Sequence, residues 1–275
     1  QWAQYSLMVE IAERLSIPVM LNAQNIQKYD SSDWRCRFLT KHAKSEVVKY
    51  ITSRDGQPGA DRLRKDYRIP DRIVCAGVGD SAFWIPQCYD VRIPENRDTI
   101  GINIIEGTCF VRYGNHLKSE ELLKVYVDLL KALDKKGQKW ELFTNGLPQD
   151  HEFAREVLAK YGKPEIKVRI PSSDKDLVNI IAGYKGVVGG RLHSCIGSYA
   201  EGIPFVGFVW DEKMIGFGRM VGLGDYFFTK DELTGQGLCD KVLEACDMDL
   251  THIHEIREHW KQENIRMVRE FLSQV

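Results

Sequence analysis

The sequence lacks any C-x-x-C pair and any grouping of cysteine with histidine, although it holds seven cysteines: Cys36, Cys75, Cys88, Cys109, Cys195, Cys239 and Cys246. An odd number at wide spacing argues against a disulfide framework and against a zinc module, and predicts reduced thiols of a cytoplasmic protein, used mainly as small core residues. Carboxylates clustered at the spacing of a divalent-metal site are also missing, so no metal is expected. The longest apolar stretches, such as Pro204 to Trp210, fall far short of the roughly 20 residues that span a bilayer. Charge of one sign is not in excess either, with 38 Lys and Arg against 39 Asp and Glu and a net charge of -1. No basic cluster alters that balance, and a nucleic-acid partner is not expected. Nor does a G-x-G-x-x-G follow any strand-like run with an acidic residue about 20 positions on, which weighs against a dinucleotide oxidoreductase. No internal repeat or low-complexity tract appears.

What is present is an ordinary globular composition, 43% hydrophobic and 28% charged over 275 residues, enough for two α/β domains. The chain opens at Gln1 directly in helical periodicity, without an initiator Met or a secretory pattern, so an upstream segment is expected to belong to it. Helix-like segments at Ser6 to Leu15, Cys36 to Lys44 and Gly59 to Tyr67 alternate with strand-like runs at Val19 to Asn22, Val47 to Thr52 and Ile73 to Gly77. Pro86 to Arg97 reads as a linker. The pattern restarts at Ile100 to Ile105. Helices follow at Ser119 to Lys135, Asp150 to Tyr161 and Asp174 to Tyr184, with Ser119 and Ser173 as caps, and strands at Trp140 to Thr144, Ile166 to Ile170, Gly186 to Val188 and Phe205 to Val209. A last helix, Leu250 to Leu272, places Ile253, Ile256, Trp260, Ile265, Val268 and Leu272 on one face.

Short strands alternating with helices predict parallel sheets covered on both faces. The expected fold class is α/β, two Rossmann-like doubly wound domains facing across a cleft. Residues 1-98 form the N-terminal domain, expected to lack its first elements, and residues 99-275 the C-terminal one, with the last helix packing back on the first. Ligands of such sheets sit outside the carboxyl ends of the strands.

The most informative stretch is Gly189-Gly190-Arg191-Leu192-His193-Ser194. Here an apolar run ends in glycines and delivers an arginine and a histidine to a helix start, where backbone N–H groups and the helix dipole favour an anion. Strand ends also carry Asn145, Ser172 and Ser173, and Asp211 with Lys213. A guanidinium, an imidazole and an ammonium on one rim suit a small, highly charged anion. Arg112, in the loop Glu106 to His116, adds a candidate cation, with a solvated loop arginine as the plainer reading. Asp211 is read either as an orienting carboxylate or as a helix cap, and Arg54 with Asp55 as a domain-cleft or structural pair, the structural option being favoured. Cys195, two residues past His193, is read as core packing rather than as a nucleophile. Phe83, Trp84, Trp210 and Phe217 are aromatics of sugar-stacking type, most of them expected to be core.

The chain resembles the polysaccharide pyruvyl transferases in Gly190-Arg191-Leu192-His193-Ser194, in Gly202-Ile203-Pro204-Phe205-Val206-Gly207 running to Asp211-Glu212-Lys213, in Ile51-Thr52-Ser53-Arg54-Asp55 and in Gly79-Asp80-Ser81-Ala82-Phe83. The resemblance extends over nearly the whole chain. It implies a GT-B-like fold and transfer of pyruvate from phosphoenolpyruvate onto two hydroxyls of a sugar, as a cyclic ketal, with release of phosphate. It associates Arg191 and His193 with donor binding and catalysis. Arg112, Asn145, Ser173, Ser194, Asp211 and Lys213 join them as expected substrate-binding residues. No cofactor is expected, phosphoenolpyruvate entering as a substrate. The partner is a saccharide acceptor of a cell-surface or exopolysaccharide precursor; a lipid-linked acceptor would bring the protein to the inner membrane face. Two other readings share the architecture: a nucleotide-sugar glycosyltransferase, and a non-catalytic glycan- or anion-binding relative.

Overall fold

The computed structural model describes residues 2–112 and 117–274. The chain divides into two compact units, Gln1–Ser81 with Ile256–Val275, and Ala82–Glu255.

The first unit runs α1 (Trp2–Arg14), β1 (Val19–Gln24), α2 (Trp34–Ala43), β2 (Val48–Ser53), α3 (Gln57–Lys65) and β3 (Val74–Gly77). Its strands form a parallel sheet in the order β1-β2-β3, with Ile51 opposite Leu21 on one side and Cys75 on the other. Asp33 starts α2 by accepting the Arg35 N–H at 2.9 Å, and Pro58 sits in the first turn of α3, where a missing N–H removes no hydrogen bond. Val9, Leu21, Val48, Ile51, Leu63 and Ile73 close the core. Burying each such side chain contributes about 1.5–3 kcal/mol.

Arg54 and Asp55 do not pair with each other. Arg54 Nη1 reaches Asp80 Oδ2 at 2.6 Å, while the Asp55 carboxylate accepts the Ile26 N–H at 2.7 Å and the Asn25 amide at 3.0 Å. Adjacent residues at a strand end point apart, so each finds its partner in the next loop.

The second unit begins with a single 3-10 turn at Ser81–Trp84 and α4 (Ile85–Tyr89), so part of the expected linker is helical. Pro86 lies in the first turn of that helix, the one position where proline suits it. Residues 82–98, grouped by sequence with the N-terminal domain, cluster with this unit. Then come β4 (Thr99–Asn103), α5 (Thr108–Arg112), α6 (Ser119–Lys135), β5 (Lys139–Phe143), α7 (Pro148–Tyr161), α8 (Asp174–Ala182), β6 (Gly186–Gly189), α9 (Leu192–Glu201), β7 (Phe205–Phe208), α10 (Glu212–Met220), β8 (Phe227–Phe228) and α11 (Gly235–Cys246); the final helix, α12 (Thr251–Ser273), belongs from Ile256 onward to the first unit.

All five strands are parallel, in the order β5-β4-β6-β7-β8. Ile100, Ile102, Val187, Val188, Val206 and Phe208 are fully buried, as continuous apolar strands of a two-sided sheet must be. On α6, Leu122, Tyr126, Leu129, Leu130 and Leu133 repeat at helical spacing and face inward. Its cap is Lys118, whose N–H donates to Glu121 at 2.9 Å, with Ser119 already inside the first turn.

The run Ile166 to Ile170 is not a strand. It makes one bridge, Phe143 with Arg169, through Arg169 N–H to Leu142 O at 2.8 Å and Thr144 N–H to Arg169 O at 3.1 Å. Flanked by Pro164 and Pro171 and largely exposed, it buries too little to extend the ladder.

The final helix differs from its expected face. Lys261, Asn264 and Met267 are buried and Leu272 is exposed. Asn264 accepts the Asn22 amide at 3.1 Å and donates to Gly79 O at 3.3 Å, so this face satisfies polar groups at the end of the first unit's sheet. Among the described residues no helix is long and apolar enough to cross a membrane.

Candidate active site

In the second unit the chain passes from β4 to β5 on one side of the sheet and then returns to place β6 on the other side of β4. The loops leaving β4 and β6 therefore diverge, and their diverging carboxyl ends make the crevice where ligands of such sheets bind. Gly190-Arg191-Leu192-His193 leaves β6 at that point. The backbone there runs close against its neighbours: a Cβ on Gly190 would lie 2.6 Å from Asn103 O, and one on Gly189 would lie 2.4 Å from Cys195 Sγ.

Asn103, the last residue of β4, organises this junction. Its buried Oδ1 accepts the Arg191 N–H at 2.9 Å and the Ser194 hydroxyl at 2.6 Å, and its Nδ2 donates to Asn145 Oδ1 at 2.8 Å. Its carbonyl accepts the Gly190 N–H at 3.2 Å. Three expected substrate-binding residues, Arg191, Ser194 and Asn145, are thus gathered, through the side chain of Asn103, which is not among the residues expected from the sequence. The available signal is an asparagine closing a strand directly after the apolar run Ile100 to Ile102.

The Arg191 side chain is clamped. Nε and Nη2 donate to the two carboxylate oxygens of Asp150 at 2.8 and 2.6 Å, and Nη1 to Cys109 Sγ at 3.3 Å. Asp150, in the first turn of α7, is fully buried and also accepts the Glu106 N–H at 3.0 Å. Burial opposes the Arg191 charge, but the Asp150 hydrogen bonds and charge outweigh it and push the guanidinium pKa up. The Cys109 thiol is pushed up, chiefly by burial. Glu106 moves down: burial opposes its charge, while Thr108, Cys109 and Arg191 together hold it ionised. Of the five guanidinium N–H groups of Arg191, two have no partner among the described residues.

His193 is exposed, on the first turn of α9. Across the β6–β7 pair, the Trp210 indole N–H donates to Gly190 O at 2.8 Å, and Lys213 Nζ sits 4.4 Å from the centre of the Trp210 ring. Lys213 also pairs with Asp211 at 3.2 Å, and Asp211 caps α10 by accepting the Lys213 N–H at 3.1 Å. Asp211 therefore does both things the sequence suggests: one carboxylate oxygen caps α10 and the other holds the Lys213 ammonium, on the same rim. Trp210 is buried beneath Lys213, and Phe83 and Phe217 are core residues.

Ser173 stands apart. It is exposed and caps α8, its hydroxyl accepting the Asp176 N–H at 3.1 Å, beyond the β5 edge and roughly 14 Å of sheet from the β6 loop at ordinary strand spacing. The Arg112 side chain lies outside the described residues. Cys195 is fully buried, with its thiol pKa raised by burial and Sγ directed to Gly189 O, as expected of a core residue.

A sequence profile described as polysaccharide pyruvyl transferase matches residues 1–212, a span that includes the whole Gly190 to Ser194 motif and Asp211. The chain belongs to the polysaccharide pyruvyl transferase family. Membership places it among transferases that modify polysaccharides. No curated protein matches the chain at a significant level. Among solved structures, this pyruvyl transferase family member is similar to MnaA of S. aureus in its co-structure with UDP, at 11% identity and a TM-score of 0.54, covering 97% of this chain and 71% of that one. It is also similar to a structure of accessory secretory proteins 1, 2 and 3 of Streptococcus pneumoniae, at 12% identity and a TM-score of 0.52 over 83% of this chain and 44% of that one. At such identities the likeness concerns the fold, which is α/β, Rossmann-like in each unit and GT-B-like.

Proposed function

We propose that the chain transfers pyruvate from phosphoenolpyruvate to two hydroxyls of a saccharide, forming a cyclic ketal and releasing phosphate. The observation that carries this reading is the coincidence of the family's Arg-Leu-His motif with the diverging strand ends of β4 and β6, beside Lys213. A donor carrying a carboxylate and a phosphate needs cations and N–H donors in one place. Arg191, with two N–H groups unengaged among the described residues, and Lys213 meet that need next to the first turn of α9.

Ketal formation begins with proton delivery to the methylene carbon of the enol, leaving the adjacent carbon electrophilic. His193, exposed on the rim, is the acid in this reading. One sugar hydroxyl adds to that carbon and loses its proton, giving a tetrahedral phospho-ketal. The C–O bond to phosphate then breaks, and the second hydroxyl closes the ring as its proton passes to the medium. Atoms balance as phosphoenolpyruvate plus diol giving ketal plus phosphate. The saccharide belongs to a cell-surface or exopolysaccharide precursor in this reading, and the protein acts in the cytoplasm, at the inner membrane face when the acceptor is lipid-linked.

The test is phosphate release from phosphoenolpyruvate across a panel of saccharide acceptors. Acceptor-dependent release with a pyruvyl ketal in the product supports the reading. Turnover of nucleotide sugars with nucleotide release would replace it with a glycosyltransferase, and anion binding without turnover on any acceptor would replace it with a binding protein.

A further inference from the structure

Asp150 has no exposed surface, and the partners it has among the described residues all lie at the active-site edge: Arg191 through a two-point fork and Glu106 through its N–H. A buried ion pair is weak support for stability, because desolvating two charges offsets most of their attraction. Its geometric consequence is large. The fork fixes the plane of the guanidinium, which a single hydrogen bond leaves free to rotate, and Cys109 meets the third nitrogen. The Asp150 carboxylate also cancels the Arg191 charge at short range, so an anion at the rim meets an oriented pair of N–H groups rather than a bare cation.

Resting on the donor reading above, we propose that Asp150 is a positioning residue for phosphoenolpyruvate. It holds Arg191 in one orientation and moderates its charge, so that the donor is aligned for attack and phosphate is not held too tightly.

Asp150→Asn keeps an oxygen for the Glu106 N–H and removes the charge. Affinity and turnover should then move in opposite directions: phosphoenolpyruvate and inorganic phosphate bind at least threefold more tightly, while kcat falls at least tenfold. The experiment compares the full chain as wild type, D150N and D150E by thermal melting, by calorimetry with each anion, and by phosphate release.

A purely structural Asp150 lowers affinity and kcat together with the melting temperature, and that result overturns the proposal, as do unchanged constants. If D150N fails to fold, D150E decides: the charge remains while the fork is displaced, so a tenfold loss of kcat at wild-type affinity supports positioning, and wild-type kcat overturns it. Wild type that binds the anions without releasing phosphate defeats the donor chemistry, and tighter binding by D150N or its absence then judges the positioning role alone. Wild type that binds neither anion overturns both.

Discussion

Asn103 and Arg191 are joined across the line where the sheet changes winding direction, the Asn103 Oδ1 accepting the Arg191 backbone N–H at 2.9 Å. The same oxygen takes the Ser194 hydroxyl, so one buried amide sets both the start of α9 and the end of β6. Replacing Asn103 with Ala leaves the Arg191 N–H without its partner in a dry environment. A loss of about 1–3 kcal/mol is expected, the usual penalty of an orphaned buried donor. Urea unfolding measures it, and wild-type stability would show that water substitutes fully for the amide.

His193→Ala should leave stability nearly untouched, within roughly 0.5 kcal/mol, because the side chain is exposed. Phosphoenolpyruvate binding should be largely retained and turnover abolished. A variant that still turns over at the wild-type rate removes His193 from the proton-transfer step.

Lys213 is held by Asp211 at 3.2 Å and over the Trp210 ring at 4.4 Å, a geometry that presents its ammonium at the rim. Lys213→Ala should weaken donor binding by roughly 10- to 150-fold, the equivalent of one charge-assisted hydrogen bond. Folding should change by no more than about 1 kcal/mol, as for other partly exposed pairs. Calorimetry with phosphoenolpyruvate reads the first and urea titration the second.

Glu201, at the far end of α9 from His193, is buried, and neither carboxylate oxygen has a hydrogen-bond partner among the described residues. Burial pushes its pKa up to about 9, against 4.5 for an ordinary Glu, with Arg97 opposing weakly. The folded state therefore holds a proton that the unfolded state has lost between those two values. Stability from this group is fully present below about 4.5 and falls as pH rises toward 9, by at most about 1.4 kcal/mol per pH unit. Glu201→Gln should match wild type at pH 5 and exceed it at pH 8, in denaturation curves at each pH. Parallel curves at both pH values would mean that the carboxyl is ionised in the folded protein.

Local sequence was a reliable guide wherever one element decides its own state. Ser173 and Asp211 are helix caps because a short oxygen-bearing side chain reaches the N–H two or three residues on, within its own segment. The glycine-ended β6 and the Arg-Leu-His turn were legible for the same reason. Ile166 to Ile170 was not, since an apolar run becomes a strand only if a neighbour covers it, and this one lies exposed at the sheet edge. In the sequence Asp150 marks only the start of a helix, because its clamp on Arg191 spans 41 positions.

By itself, then, the sequence determined the alternation of helices and strands, the caps at Ser173 and Asp211 and the family to which the chain belongs, all of which rest on contacts or patterns within a few residues. Only the tertiary structure decided which charges are spent inside the protein and which face outward. It turned Arg191 toward Asp150, drew Ser194 and Asn145 onto Asn103, and left Ser173 to its cap. Pairing between distant residues depends on strand order, and strand order is set by burying the whole sheet at once, which no short window of sequence contains.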